Sequence, residues 1–182
     1  PYGRPKLEGE VAIQAVGGSF LILRTSWLYS FRRESFPRKV LAWARSQSVL
    51  RIVSDQVGSP TWSRSLATTT ALALATGAGT IVPWMRERAG IYHLAGSGQA
   101  SRLEWARAIL ELDPHPEEHV VERIVPAESA DFPKGAPRPA FSALSGTHFK
   151  EVFGLELPEW RVSLRLAMDD LPRASPTPAG RA

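Results

Sequence analysis

Phe20-Leu21-Ile22-Leu23-Arg24-Thr25-Ser26-Trp27-Leu28-Tyr29, residues 20–29, decides the fold. The run Phe20 to Leu23 is short, unbroken and apolar, as a buried strand requires. Polar residues and a tryptophan arrive at its C-terminal end, where ligands sit in open α/β sheets. Upstream, Tyr2 to Ala15 reads as a helix. Leu7, Val11 and Ala15 recur at helical spacing, Pro1 and Pro5 fall near the start, and Gly17-Gly18 ends it.

Downstream the two periodicities alternate. Phe36 to Ala44 is an amphipathic helix with Val40, Leu41 and Trp43 apolar, and Val49 to Val53 is a strand. Residues 54–61 are polar and rich in turn formers. Ser63 to Thr76 is a helix supported by Leu66, Leu72 and Leu74, closed by Gly77 and Gly79. Gly90 to Gly96 is a strand. Ser101 and Glu104 form a capping box that opens a helix to about Leu112. A proline-rich loop spans Asp113 to His119, a strand is expected over Val120 to Val125, and Ser129 to Pro139 is irregular. Thr147 to Phe153 and Glu159 to Leu171 are helices. Strands alternating with helices imply α/β architecture with parallel strands. Residues 1–171 form the folded part, and the Pro/Ala/Ser/Gly-rich tail 172–182 is expected to be disordered.

The 182 residues are 43% hydrophobic, enough for one domain with a core or most of one. With no cysteine there is no disulfide framework and no thiolate metal site. No apolar run is long enough to span a bilayer and no signal peptide opens the chain, so a cytoplasmic setting with no membrane partner is expected. The net charge of +4 comes mainly from arginine, which suits a phosphate-bearing ligand. The basic residues do not form a dense stripe interleaved with aromatics, so nucleic acid is not expected as a partner. The chain begins at Pro1, not at a methionine, and reads as a piece of something longer.

Tyr2 and Lys6 stand four apart on the first helix and so face the same way. A phenol titrates near about 10, and a nearby ammonium favours its ionised form and lowers that value. Such a pair can protonate a carbonyl oxygen as hydride reaches the carbon. His115-Pro116-Glu117-Glu118-His119 matches a metalloprotease spacing, but zinc there needs both histidines on one face of a stable helix. The prolines around it deny that helix, and no metal site is expected.

Seven stretches, in order, resemble the dTDP-4-dehydrorhamnose reductase family. They are PYGRPKLEGE (1–10), LRTSWLY (23–29), VSDQVGSPT (53–61), SRSLA (63–67), GIYHLAGSG (90–98), RPAFSALS (138–145) and FGLELPEWR (153–161). The resemblance implies the C-terminal part of an extended short-chain dehydrogenase/reductase fold, Rossmann-like, with a small substrate-binding region. It implies NADPH, or NADH, as cofactor and a dTDP-sugar as substrate. The 4-keto group of dTDP-6-deoxy-L-lyxo-4-hexulose is reduced, and dTDP-L-rhamnose is the product. Carried over by motif, Tyr2 is the proton donor and Lys6 its partner, both also contacting the cofactor. Trp27 matches the tryptophan that lies against the sugar ring, a suitable role for an indole face. Gln56 borders the substrate pocket beside Asp55, a turn former or pocket residue, and Arg138 is the candidate for the diphosphate. A homodimer is compatible with the resemblance. A related nucleotide-sugar epimerase or dehydratase, or a non-catalytic regulatory subunit of the same fold, is the alternative.

The chain departs from the family pattern in three places. The Gly-rich turn that meets the pyrophosphate is absent, and Gly77-Ala78-Gly79 follows a helix and does not replace it. The hydroxyl residue that completes the catalytic group with Tyr and Lys is also absent. Ser30 stands where members often have Gly. The 182 residues alone are therefore expected to be inactive.

Overall fold

A computed structural model describes residues 3–132 and 139–171; the expected tail 172–182 lies outside them. In chain order the elements are helix α1 (Arg4–Val16), strands β1 (Leu21–Arg24) and β2 (Leu28–Tyr29), and helix α2 (Phe36–Ala44). Strands β3 (Val49–Val53), β4 (Val57–Gly58) and β5 (Thr61–Trp62) follow, then helices α3 (Ser63–Ala75) and α4 (Ile81–Glu87). Next come β6 (Gly90–His93), β7 (Ala100–Ser101), α5 (Arg102–Glu111), β8 (Arg123–Ala127), β9 (Phe141–Ser142), α6 (Thr147–Phe153) and α7 (Trp160–Asp169).

The longer strands pair in parallel: β1 with β6, and β3 with β8. The two-residue strands β2 and β5 are also parallel. The expected parallel arrangement has one exception: β4, the middle of a three-stranded sheet, runs parallel to β9 but antiparallel to β7. Pro5 falls in the first turn of α1, where its missing N–H costs nothing, and Gly17 and Gly18 end the helix with φ of 76° and 83°.

The structure adds to the sequence reading and in one place shifts it. The strand expected over 120–125 is displaced to Arg123–Ala127, because Val120 and Val121 donate their N–H groups to Ala44 O at the end of α2. Pro126 is tolerated inside β8, since β8 is an edge strand. Helix α4 was not anticipated; Pro83 hides it, and its buried Trp84 is seated directly on Gly77. In α3 the buried face is Thr69 and Ala73, while Leu72 and Leu74 are exposed. Helix α1 likewise buries no residue, and Leu7, Val11, Ile13 and Val16 are exposed.

Two apolar clusters hold the body together. The larger joins α2, β3, α5 and α7 around Trp105, Val40, Leu50, Ile109 and Leu164. The smaller joins β6 and α6 around Tyr92, Leu94 and Phe149. Helix α5 is the hinge of the larger cluster, and its capping box forms as the sequence predicts. Glu104 N–H donates to Ser101 Oγ at 3.1 Å, and Ser101 N–H donates to Glu104 Oε2 at 2.7 Å. Beyond α5, the buried carboxylate of Asp113 accepts from Arg45 Nη2 at 2.9 Å and from His115 N–H at 3.2 Å, and lies 2.7 Å from His119 Nε2.

Asp113→Ala removes the buried acceptor of Arg45 Nη2 and of the His115 N–H, while Arg45 keeps Glu118, and should cost about 1–3 kcal/mol in urea unfolding, since buried polar groups left unsatisfied are expensive. The hydroxyl of Tyr29 is buried and has no hydrogen-bond partner among the described residues, and that burial raises its pKa. Tyr29→Phe should therefore leave stability unchanged or raise it by up to about 1 kcal/mol in the same measurement.

Candidate active site

The site lies at the C-terminal end of β1. Lys6 and Glu10 are one turn apart on α1. Arg24, the last residue of β1, donates to both carboxylate oxygens of Glu10: Nε to Oε1 at 2.9 Å and Nη2 to Oε2 at 2.6 Å. This fork-to-fork contact fixes geometry as well as charge. It pins the Lys6-bearing helix beside the end of β1, three residues before Trp27. The hydrogen bond from Arg24 holds the Glu10 carboxyl below its ordinary pKa. Tyr2 and Arg138 lie outside the described residues.

Trp27 sits in an unusual backbone conformation. Its φ of 39° makes it the single non-glycine residue in the left-handed region among the described residues. For a residue with a bulky side chain that costs about 1–2 kcal/mol and persists only where the surroundings impose it. Its carbonyl accepts from Thr61 N–H at 3.2 Å. Its indole stacks on Trp105, with centroids 5.5 Å apart and planes at 17°, and the guanidinium carbon of Arg102 lies 3.7 Å from its ring centre.

Beneath this region is a buried polar hub that sequence reasoning passed over as turn formers. Ser59 N–H donates to Ser26 Oγ, Ser59 Oγ donates to Gly98 O, and Leu144 N–H donates to Ser59 Oγ. Thr61 Oγ1 donates to Ser59 O and accepts from Gly96 N–H. Three small hydroxyls, of Ser26, Ser59 and Thr61, thus tie the end of β1, the β4–β5 turn, the β6–β7 loop and the β9–α6 loop into one unit. Ser-Pro-Thr in a loop signals a turn, and nothing local says that four segments converge on it.

Gln56 and Asp55 serve as braces in this structure. Gln56 Nε2 donates to Ser129 Oγ at 2.8 Å, and that hydroxyl donates to Asp55 Oδ1 at 2.7 Å. The Gln56 carbonyl accepts from Arg102 N–H at the start of α5. The amide of Gln56 is thereby directed to the segment after β8. His115, Glu117 and Glu118 bring one ligand atom each within 4.8 Å of one another. Glu118 accepts from Arg45, Glu117 is 3.2 Å from His115, and His119 turns instead to Asp113. A separate cleft of about 420 Å³ opens at the C-terminal end of β6, lined by Leu94, Ser97, Ser145, Thr147 and Lys150 among others.

Parallel strand pairs with helices between them, and a tryptophan and a lysine-bearing helix at one strand end, define a class. It is the C-terminal part of the extended short-chain dehydrogenase/reductase fold, Rossmann-like in its sheet. A dTDP-4-dehydrorhamnose reductase ortholog from Clostridium acetobutylicum superposes with a TM-score of 0.79 at 28% identity, covering 94% of this chain and 56% of that one. The chain belongs to the RmlD substrate binding domain family, whose model matches residues 1–173. It is 42% identical over 179 residues to dTDP-4-dehydrorhamnose reductase of Burkholderia thailandensis, covering 93% of this chain and 58% of that protein. The reductase of Bacillus anthracis, solved in complex with NADP, matches with a TM-score of 0.78 at 24% identity, over 93% of this chain and 55% of that one. The chain therefore spans a little over half the length of the relatives it matches. Among the described residues no helix is long and apolar enough to cross a membrane.

Glu10 has a lowered pKa in the folded state, so its ion pair with Arg24 contributes fully above the unfolded carboxyl range of about 4.3 and is lost as pH falls through the folded value. Amide exchange along Arg4–Val16, corrected for intrinsic rates, should rise on acidification through that window. Glu10→Gln should show the faster exchange already at neutral pH.

Proposed function

We propose that the whole protein is a reductase of nucleotide-linked keto-sugars. It reduces the 4-keto group of dTDP-6-deoxy-L-lyxo-4-hexulose with NADPH and yields dTDP-L-rhamnose. The observation that carries this reading is the 42% identity to the Burkholderia thailandensis reductase, extending over nearly all of the chain. The pinning of the Lys6-bearing helix beside the strand end that leads to Trp27 supports it.

The residues present fit one end of the cofactor. Lys6 offers an ammonium for the ribose beside the end of β1, whereas the chain holds no glycine-rich strand–turn–helix for the pyrophosphate. When bound, NADPH supplies the hydride that reaches the sugar carbonyl carbon. As the C=O π bond breaks, its oxygen becomes an alkoxide, and Tyr2 delivers its phenolic proton there. Lys6, four residues along the chain, stabilises the phenolate left behind. Trp27 lays its indole against the C–H side of the pyranose and sets the ring in place. The Glu10–Arg24 contact keeps the helix that carries Lys6 at the strand end.

In the whole protein, Tyr2→Phe should lower kcat by about 100-fold or more, the usual worth of a positioned general acid. NADPH binding, followed by titration calorimetry, should stay near that of the parent protein. Retained turnover of the keto-sugar by this variant would remove Tyr2 from its role.

A further inference from the structure

We propose that Gly58 and Arg102 are positioning residues that set the plane of the Trp27 indole, and so decide which part of it is left for the sugar. This rests on the reading that Trp27 receives the pyranose, and it names residues which that reading does not use.

The first observation is the clearance at Gly58. A Cβ added there would stand 2.4 Å from Trp27 Cε2, 2.6 Å from Nε1 and 2.7 Å from Cδ2. The ring is therefore laid on the glycine backbone, and no side chain fits between them. That backbone cannot step aside, because β4 is the middle strand of its sheet. Gly58 is in register with Ala100 on one side and Ser142 on the other.

The second observation is Arg102, the first residue of α5. Its N–H is tied to Gln56 O at 3.1 Å, two residues before Gly58. Its guanidinium carbon lies 3.7 Å from the centre of the Trp27 ring, 4.8 Å from that of Phe36 and 5.4 Å from that of Trp105. At 3.7 Å the planar cation is in contact with the indole. A pyranose has to meet the part of the ring that Arg102 does not cover. The left-handed φ of Trp27 is the third observation, since a costly backbone angle is kept where neighbours on several sides demand it.

The stacked pair Trp27–Trp105 supplies a readout that needs no activity, an exciton couplet in far-ultraviolet circular dichroism. In the whole protein, Trp27→Phe should abolish the couplet and so assign it. Gly58→Ala and Arg102→Gln should weaken it, and Arg102→Lys, which keeps a cation able to lie on the ring, should recover much of it. Calorimetric titration with dTDP-L-rhamnose should show Kd raised about tenfold in Gly58→Ala and Arg102→Gln, equivalent to about 1.4 kcal/mol, with Arg102→Lys in between. Should Gly58→Ala fail to fold, Arg102→Gln and Arg102→Lys carry the test alone. An unchanged couplet in the variants that fold would show that the indole is not held by these residues. A weakened couplet with unchanged Kd would show that its plane is irrelevant to the sugar, and either result overturns the proposal. A parent protein that does not bind dTDP-L-rhamnose would instead sink the proposed substrate, while the couplet still reports whether the indole is held.

Discussion

The indole of Trp105 is almost wholly buried, and three other rings pack on it: Phe36 at 4.9 Å, Tyr29 at 5.4 Å and Trp27 at 5.5 Å between centroids. Those rings come from three different places, the segment after β1, strand β2 and the start of α2. Burying an aromatic of this size removes well over a hundred square ångströms of apolar surface from water. This contact makes α5 the element against which the segment after β1 is aligned. The Trp105 Nε1–H and the Tyr29 hydroxyl have no hydrogen-bond partner among the described residues, so the cluster is held by shape and burial, not by polar pairing.

Two kinds of polar interaction work around that apolar centre, and they do different jobs. Ser59 and Thr61 are buried, and their hydroxyls satisfy backbone groups of loops that would otherwise be independent. Such bonds are modest in net stability but expensive to leave unmade, so they specify one arrangement of loops. The Glu10–Arg24 pair is more exposed and adds little to global stability. Its bidentate geometry nonetheless ties α1, a helix that buries no side chain of its own, to the end of β1.

Much of the fold was legible locally. The apolar run at 20–23, the amphipathic stretch at 36–44 and the Ser101/Glu104 cap each point to one element, and each forms there. Local signals failed where a distant partner made the decision. Helix α4 contains a proline and is short, yet Trp84 finds Gly77 and buries. Strand β8 starts three residues late because Val120 and Val121 are claimed by the Ala44 carbonyl. The two-residue strands β4, β5, β7 and β9 are too short for any periodicity to announce them. In the candidate site, Trp27 is marked in the sequence by its place just past a strand end and Lys6 by its spacing of four from Tyr2. The sequence sets Gln56 beside the pocket, and nothing local announces that its amide donates to Ser129.

By itself, the order of residues determined the alternation of strands and helices, the family motifs spread along nearly the whole chain, and the spacing of four that separates Tyr2 from Lys6. These depend on neighbours within a turn or a strand, where spacing alone dictates geometry. Only the tertiary structure decided that Trp27 would be laid on Gly58, faced by Arg102 and stacked on Trp105. Those partners lie far apart in the chain, and no local propensity brings them together. Burial of the aromatic cluster does so, and it holds the indole in a backbone conformation that its own sequence disfavours.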